Sequence, residues 1–337
     1  MDIYKLNNKR LDSVETVNFD SEKEIQSIVE NNSEELFNLT FVKSEVTCEI
    51  FRFDSLCWDE ENNSFVIIEY KNSKSSSVID QGYSYLSTML NNKSDFILEY
   101  IESRDKSLKK ENVDWSQSRV IFVSTSFTEY QKNSVNFKDV PFELWEIQKF
   151  SNGTLGLTQV MSNSKESIKG LEKGKSSVVS RVSKEIIKYD EESVITKFDT
   201  KFLNLYNNLK QKIFEWEGLS VKTIKKYVCF YKGKRGFLYI IPRKEHLTLN
   251  FMYRINFKGD VESQPKPFKF NDPEKKFIFK KDKYRENFIH KFTEKSDVDY
   301  LIYCLKQKYD SMKWGMWIFL NNSFLSIVEN RHNKDEL

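Results

Sequence analysis

Asp54, Glu69 and Lys71 are the residues of this chain whose types and spacing best suit chemistry. The stretch Phe65-Val66-Ile67-Ile68-Glu69-Tyr70-Lys71 is apolar on both faces for four residues and then turns charged. A strand apolar on both faces is a buried central strand, and charges at its end emerge where the core stops. Alternation puts Glu69 and Lys71 on one face. The polar run Asp59-Glu60-Glu61-Asn62-Asn63 predicts a hairpin with the preceding strand. A turn centred between Glu61 and Asn62 sets Asp54 opposite Glu69, with Cβ atoms roughly 5 Å apart. Two carboxylates that close repel unless a cation lies between them, and Mg²⁺ or Mn²⁺ is the oxygen-seeking choice. Lys71 alongside would position a water and neutralise a phosphate oxygen. That is equipment for metal-assisted phosphodiester hydrolysis. The plainer reading is a surface hairpin with ordinary charges.

The elements that must hold these residues follow from pattern. Ser21-Glu22-Lys23-Glu24 is a capping-box pattern before Ile25, Ile28 and Val29, and predicts a helix over 21–36. Strands are expected at 39–46, 49–58 and 64–71, a helix at 78–90, and further strands at 119–124 and 142–148. A mixed sheet covered by helices is the natural packing of that order.

Composition narrows the alternatives. The chain has 337 residues, of which 39% are hydrophobic and 15% aromatic, enough for two domains with real cores. Alanine is absent, which suggests an AT-rich bacterial genome and makes helix propensity a weak guide. Four scattered cysteines and three unclustered histidines argue against zinc hydrolases, His-metal nucleases and Ser-His-Asp triads. No leader-like start or membrane-length apolar run is visible, so a cytoplasmic protein with no membrane partner is expected. The terminal Lys334-Asp335-Glu336-Leu337 then reads as coincidence. Charge is split: residues 1–160 hold 17 Lys+Arg and 27 Asp+Glu, a net of −10, whereas 161–337 hold 36 and 23, a net of +13. The basic half either attracts a polyanion or docks on the acidic one.

Arg52-Phe53-Asp54 followed by Val66-Ile67-Ile68-Glu69-Tyr70-Lys71 resembles the PD-(D/E)XK nuclease superfamily. Asp80-Gln81-Gly82-Tyr83-Ser84-Tyr85-Leu86 resembles the Q-x3-Y helix of its NucS-like and RecB-like branches. The likeness covers roughly residues 15–160; the superfamily's proline is replaced by Phe53. It implies a restriction-endonuclease-like α-β-β-β-α-β core with a separate C-terminal α+β domain. It implies a divalent-metal endonuclease acting on DNA ahead of RNA, and a homodimer. By position, Asp54 and Glu69 would bind metal with the Tyr70 carbonyl, and Lys71 would orient the attacking water. Gln81 would support the site, with Tyr85 one turn on. Glu24 would be the first-helix acid, a further ligand or water-binder. Arg52 would clamp a phosphate or pair with an acid. The alternative is a non-catalytic nucleic-acid-binding or regulatory subunit of a repair or phage-defence system.

Domains are expected at 1–162 and 193–337, with a Ser/Lys/Gly-rich, partly helical linker over 163–192. The second domain opens with a helix at 193–216, closes with one at 297–309, and carries strands between. It is similar to a domain family of unknown function that often follows NucS-like nuclease domains. Lys234 and Arg235 mark a basic hairpin tip, and Lys280 and Lys281 close a basic, Phe-rich stretch from 266 to 291. All four are candidates for nucleic-acid contact. Within that stretch, Lys276-Phe277-Ile278-Phe279-Lys280 predicts a strand with Phe inward and Lys outward.

Overall fold

A computed structural model describes residues 2–71, 78–104, 107–137, 139–161, 164, 166–167, 178–224, 227–233, 235–254, 270–281 and 285–312. They form two compact units, divided between Lys188 and Tyr189.

The first unit opens with the hairpin β1 (Ile3–Asn7) and β2 (Arg10–Val14). A seven-stranded sheet follows. Its elements in chain order are β3 (Thr16–Val17), helices α1 (Glu22–Asn31) and α2 (Ser33–Phe37), and strands β4 (Thr40–Cys48), β5 (Phe51–Asp59) and β6 (Ser64–Lys71). Then come α3 (Val78–Asn91), α4 (Lys93–Arg104), β7 (Arg119–Ser124), α5 (Glu129–Ser134), β8 (Phe142–Phe150) and β9 (Leu155–Val160). The strand order is β3-β8-β7-β6-β5-β4, with β9 on β8. β6, β7 and β8 run parallel, whereas β4, β5 and β6 are antiparallel, so the sheet is mixed.

β6 is apolar on both faces because both are covered. Phe65 and Ile67 pack with Leu86 and Met89 of α3 and Phe96 and Tyr100 of α4. Val66, Ile68 and Tyr70 pack with Ile25 and Val29 of α1 and Phe37 of α2. Gly82 lets α3 settle on β8, since a Cβ there would fall 2.6 Å from the Phe142 ring.

The structure departs from expectation in several places, among them the helix foreseen over 193–216, which is interrupted between Ile195 and Thr200. The helix foreseen over 21–36 breaks at Asn32, whose side chain donates to the Ile28 carbonyl at 2.7 Å and competes with the helical ladder. The hairpin β1–β2 and the helix α4 carried no recognised signal. The linker stretch, read as partly helical, holds helix α6 (Val178–Glu185). Val182 on α6 and Ile186 just beyond it, four residues apart on one face, are buried in the α3-side core.

The second unit is α+β. Helices α7 (Glu191–Ile195) and α8 (Thr200–Ile213) precede a six-stranded antiparallel sheet, and α9 (Val298–Ser311) follows it. The sheet runs β10-β11-β12-β13-β15-β14, from β10 (Leu219–Ile224), β11 (Tyr227–Lys232), β12 (Arg235–Pro242), β13 (Leu247–Arg254), β14 (Ile278–Lys281) and β15 (Arg285–Phe292). Phe202, Tyr206 and Leu209 of α8 and Leu301 and Leu305 of α9 bury against Phe230, Leu238, Leu249 and Phe251. Phe277 turns inward as alternation predicts, but Phe279 on the same face is 52% exposed. Among the described residues no helix is long and apolar enough to cross a membrane.

Candidate active site

The β5–β6 ladder pairs Asp59 with Ser64, Trp58 with Phe65 and, furthest from the turn, Ser55 with Ile68. One step further the same register brings Asp54 opposite Glu69, where regular pairing ends. The charge of Asp54 is felt at Glu69. Asp54 Oδ2 accepts from the Tyr70 backbone N–H at 3.0 Å. Lys71 Nζ donates to Glu69 Oε1 at 2.8 Å, both side chains being largely buried. Gln81, on the first turns of α3, donates through Nε2 to the same Glu69 oxygen and to the Tyr85 hydroxyl, each at 2.7 Å. Asp54, Glu69, Lys71, Gln81 and the backbone of Tyr70 therefore meet at one end of the hairpin.

Burial lifts the Asp54 carboxyl above its ordinary range, against the Tyr70 N–H and the Lys71 charge; Glu22 adds a small push upward. Burial also lifts Glu69, and the Asp54 charge adds to it, against Lys71 and Gln81. Both acids thus resist carrying charge together. Among the described residues Glu69 Oε2 and Gln81 Oε1 are buried acceptors with no donor. A deficit of positive charge and of donors, centred on paired carboxylates, suits a small hard cation. Among the described residues no three His, Cys, Asp or Glu side chains gather into a ready-made cage. Two carboxylates with the remaining positions left to water and phosphate oxygens is a common arrangement for Mg²⁺.

Two expected members are placed otherwise. Glu24 accepts from the Asp20 backbone N–H at 2.7 Å and from Lys149 Nζ at 2.6 Å, so both its oxygens are committed away from the pair. Tyr85 is buried, edge-on to Phe53 at 4.8 Å and Phe51 at 5.7 Å, so its ring cannot reach a nucleic acid. Its hydroxyl steadies Gln81 instead. Arg52 is exposed on β5, and its charge acts on Glu45 and Lys23 rather than on the pair. In the second unit Arg235 and Lys280 are exposed, Lys281 is described in its backbone alone, and Lys234 lies outside the described residues.

Helix α1 contributes residues that pattern alone did not single out. Gln26 Nε2 donates to the Asp54 carbonyl at 2.9 Å and also reaches Ser44 and Glu30. Glu22 lies one turn before it on the same helix face, which explains why its charge is felt at Asp54.

Residues 191–311 match the family model described as a domain of unknown function, DUF5655. They span the second unit from α7 to α9. Two solved structures are similar in part. One is a repair endonuclease from Pyrococcus abyssi, at 18% identity and TM-score 0.21, covering 36% of this chain and 45% of that one. The other is an EndoMS–dsDNA2 complex, at 17% identity and TM-score 0.24, covering 39% and 47%. This chain thus spans less than half the length of either. An uncharacterized protein from Haemophilus influenzae is 39% identical over 236 residues, which is 69% of this chain and 78% of that protein. At that identity and coverage, the chain belongs to the same family as the Haemophilus influenzae protein.

Proposed function

We propose that the first unit is a divalent-cation-dependent endonuclease that hydrolyses phosphodiester bonds, with DNA as substrate ahead of RNA. The observation that carries this reading is the buried Asp54–Glu69 pair, raised by burial, with Glu69 Oε2 lacking a donor among the described residues and Lys71 beside it. Asp54 and Glu69 would hold Mg²⁺ or Mn²⁺, which when bound acidifies a water and screens phosphate charge. Lys71, held against Glu69, is placed to orient a water and to offset charge that develops on a phosphate oxygen. Gln81 fixes the orientation of the Glu69 carboxylate, and Tyr85 fixes Gln81. Gln26 pins the backbone of Asp54. The preference for DNA follows from the superfamily resemblance.

The test is cleavage of supercoiled plasmid and of labelled single-stranded, duplex, branched and RNA substrates with Mg²⁺, Mn²⁺ or EDTA. Cleavage should need the cation and fall below detection in Asp54→Ala, Glu69→Ala and Lys71→Ala, with folding intact by circular dichroism. Gln81→Ala should lose about 10- to 100-fold, as removal of a ligand-orienting partner does. Undiminished cleavage in the first three variants would sink the assignment. No cleavage of any substrate, with binding that ignores the metal, would point to a non-catalytic subunit.

A further inference from the structure

An aromatic row crosses the sheet of the second unit and runs out at its edge. The register sets Phe251 of β13 opposite Phe288 of β15, and Phe288 opposite Phe279 of β14. The Phe251 and Phe288 rings stack at 5.1 Å and 15°, and Phe279 follows at 5.2 Å from Phe288. Phe270 packs on Phe288 from the side at 4.6 Å. Exposure climbs along this row. Phe251 is fully buried, Phe288 is half-buried and Phe279 is 52% exposed. Phe277, two residues before Phe279 and on the same face, is buried against Phe251 at 5.4 Å. The strand is therefore not flipped. Among the described residues, this inward-facing row ends on a ring left half-exposed at the rim.

The rim is basic. Residues 275–281 contain four lysines, Lys275, Lys276, Lys280 and Lys281, and no acid. Residues 189–315 hold 27 Lys+Arg and 17 Asp+Glu, a net of +10. Lys276 and Lys280 are exposed and flank Phe279 in sequence; alternation turns them to the outer face, so they line the edge round which a strand stacked on Phe279 would run, and Lys276 meets Glu274 at 3.7 Å on the open surface. A second copy pairing along this edge would bring like charges together, the device by which edge strands avoid one another. A ring flanked by lysines instead offers a stacking face and phosphate partners to a nucleic acid. Duplex DNA hides its base faces in its own stack, so a lone rim ring favours a single strand.

We propose that the β14 edge is a platform for single-stranded nucleic acid, on which Phe279 stacks against a base while Lys276 and Lys280 meet the neighbouring phosphates. This binding needs no metal and stands apart from the hydrolytic reading of the first unit.

The test is fluorescence anisotropy on the full chain in EDTA. The probes are a labelled oligo-dT, a duplex of equal length and an abasic strand of equal length. Phe279→Ala should weaken oligo-dT binding about 10-fold and Phe279→Trp should restore it, in line with the worth of one stacked base. Neither change should alter binding of the duplex or the abasic strand. Lys280→Glu should weaken oligo-dT and the abasic strand alike and flatten the salt dependence. The proposal is overturned if wild type does not bind oligo-dT, or if Phe279→Ala binds it as tightly as wild type. It is equally overturned if that variant leaves binding unchanged but converts a dimer to a monomer in sedimentation, since the edge would then belong to a second copy. Because EDTA silences cleavage, the outcome does not depend on the nuclease assignment.

Discussion

The β5–β6 hairpin buries acids at both ends, and the two ends are built in opposite ways. At the turn, Asp59 accepts from Arg119 at 2.8 Å, from the backbone N–H groups of Glu61 and Asn62 at 3.0 Å, and from the Asn62 side chain at 2.7 Å. Burial opposes its charge, but Arg119 and these donors prevail, and the carboxyl is held below its ordinary range. At the other end Asp54 and Glu69 share one lysine and are both raised. Asp59 and Glu69 are equally buried, with side chains 6% exposed. Burial therefore does not separate a structural acid from a functional one. On the proposed reading the supply of donors does: a satisfied acid holds the fold, and an undersupplied pair would take a cation.

The contrast breaks most visibly at Arg119, which bridges Asp59 and Glu143, each at 2.8 Å. Arg119→Ala leaves a buried carboxylate without its cation, and such losses cost about 3–5 kcal/mol. Urea unfolding of the first unit's transition should report a loss of that size. A loss no larger than a surface substitution gives, within about 0.5 kcal/mol, would mean that the turn end is not held by this pair.

The same measurement at the other end should move the opposite way. Glu69→Gln removes one of two mutually repelling charges while keeping the shape, and should stabilise the metal-free protein by about 1 kcal/mol, as relief of functional strain commonly does. Mn²⁺ should raise the melting temperature of the wild type, and the variant should lose that rise. If metal-free Glu69→Gln is less stable than wild type, the pair is a structural element after all.

What was legible in the sequence follows the same physics. The turn residues 59–63 and the unbroken apolar run before Glu69 left one sensible register, and the observed pairing of Asp59 with Ser64 is that register. The choice of acid on α1 was not legible. Glu22 and Glu24 stand roughly 200° apart around a helix, so a rule based on type alone could not say which faces β5. Ser21-Glu22-Lys23-Glu24 showed the helix start, and Ser21 does accept from the Glu24 backbone N–H, but the Glu24 side chain accepts from the Asp20 N–H and from Lys149 rather than from the Ser21 N–H of a reciprocal box. Tyr85 was placed near the site correctly, but spacing carries no depth, and Phe51 and Phe53 bury it. Helix α6 lies in a Ser- and Lys-rich stretch, where Val179, Val182 and Ile186 betray an inward face but do not fix its ends.

The finest test of the comparison is acid titration of the turn end. Asp59 has a folded-state pKa below its unfolded value, so its contribution is complete above about pH 4 and is lost as pH falls through the folded value. Asp59→Asn lacks that titration. The stability gap between wild type and Asp59→Asn should therefore be constant from neutrality down to about pH 4 and narrow below it, read from urea midpoints. Asp272 of the second unit sets the internal standard. Burial opposes its charge, but the Tyr300 hydroxyl and the Phe277 and Lys276 backbone N–H groups hold it low. Asp272→Asn should show the same narrowing in that unit's transition. A gap at Asp59 that stays flat through this window would mean that Arg119 and the turn amides do not favour the charged carboxylate. The distinction between a supplied and an undersupplied acid would then lose its reference point.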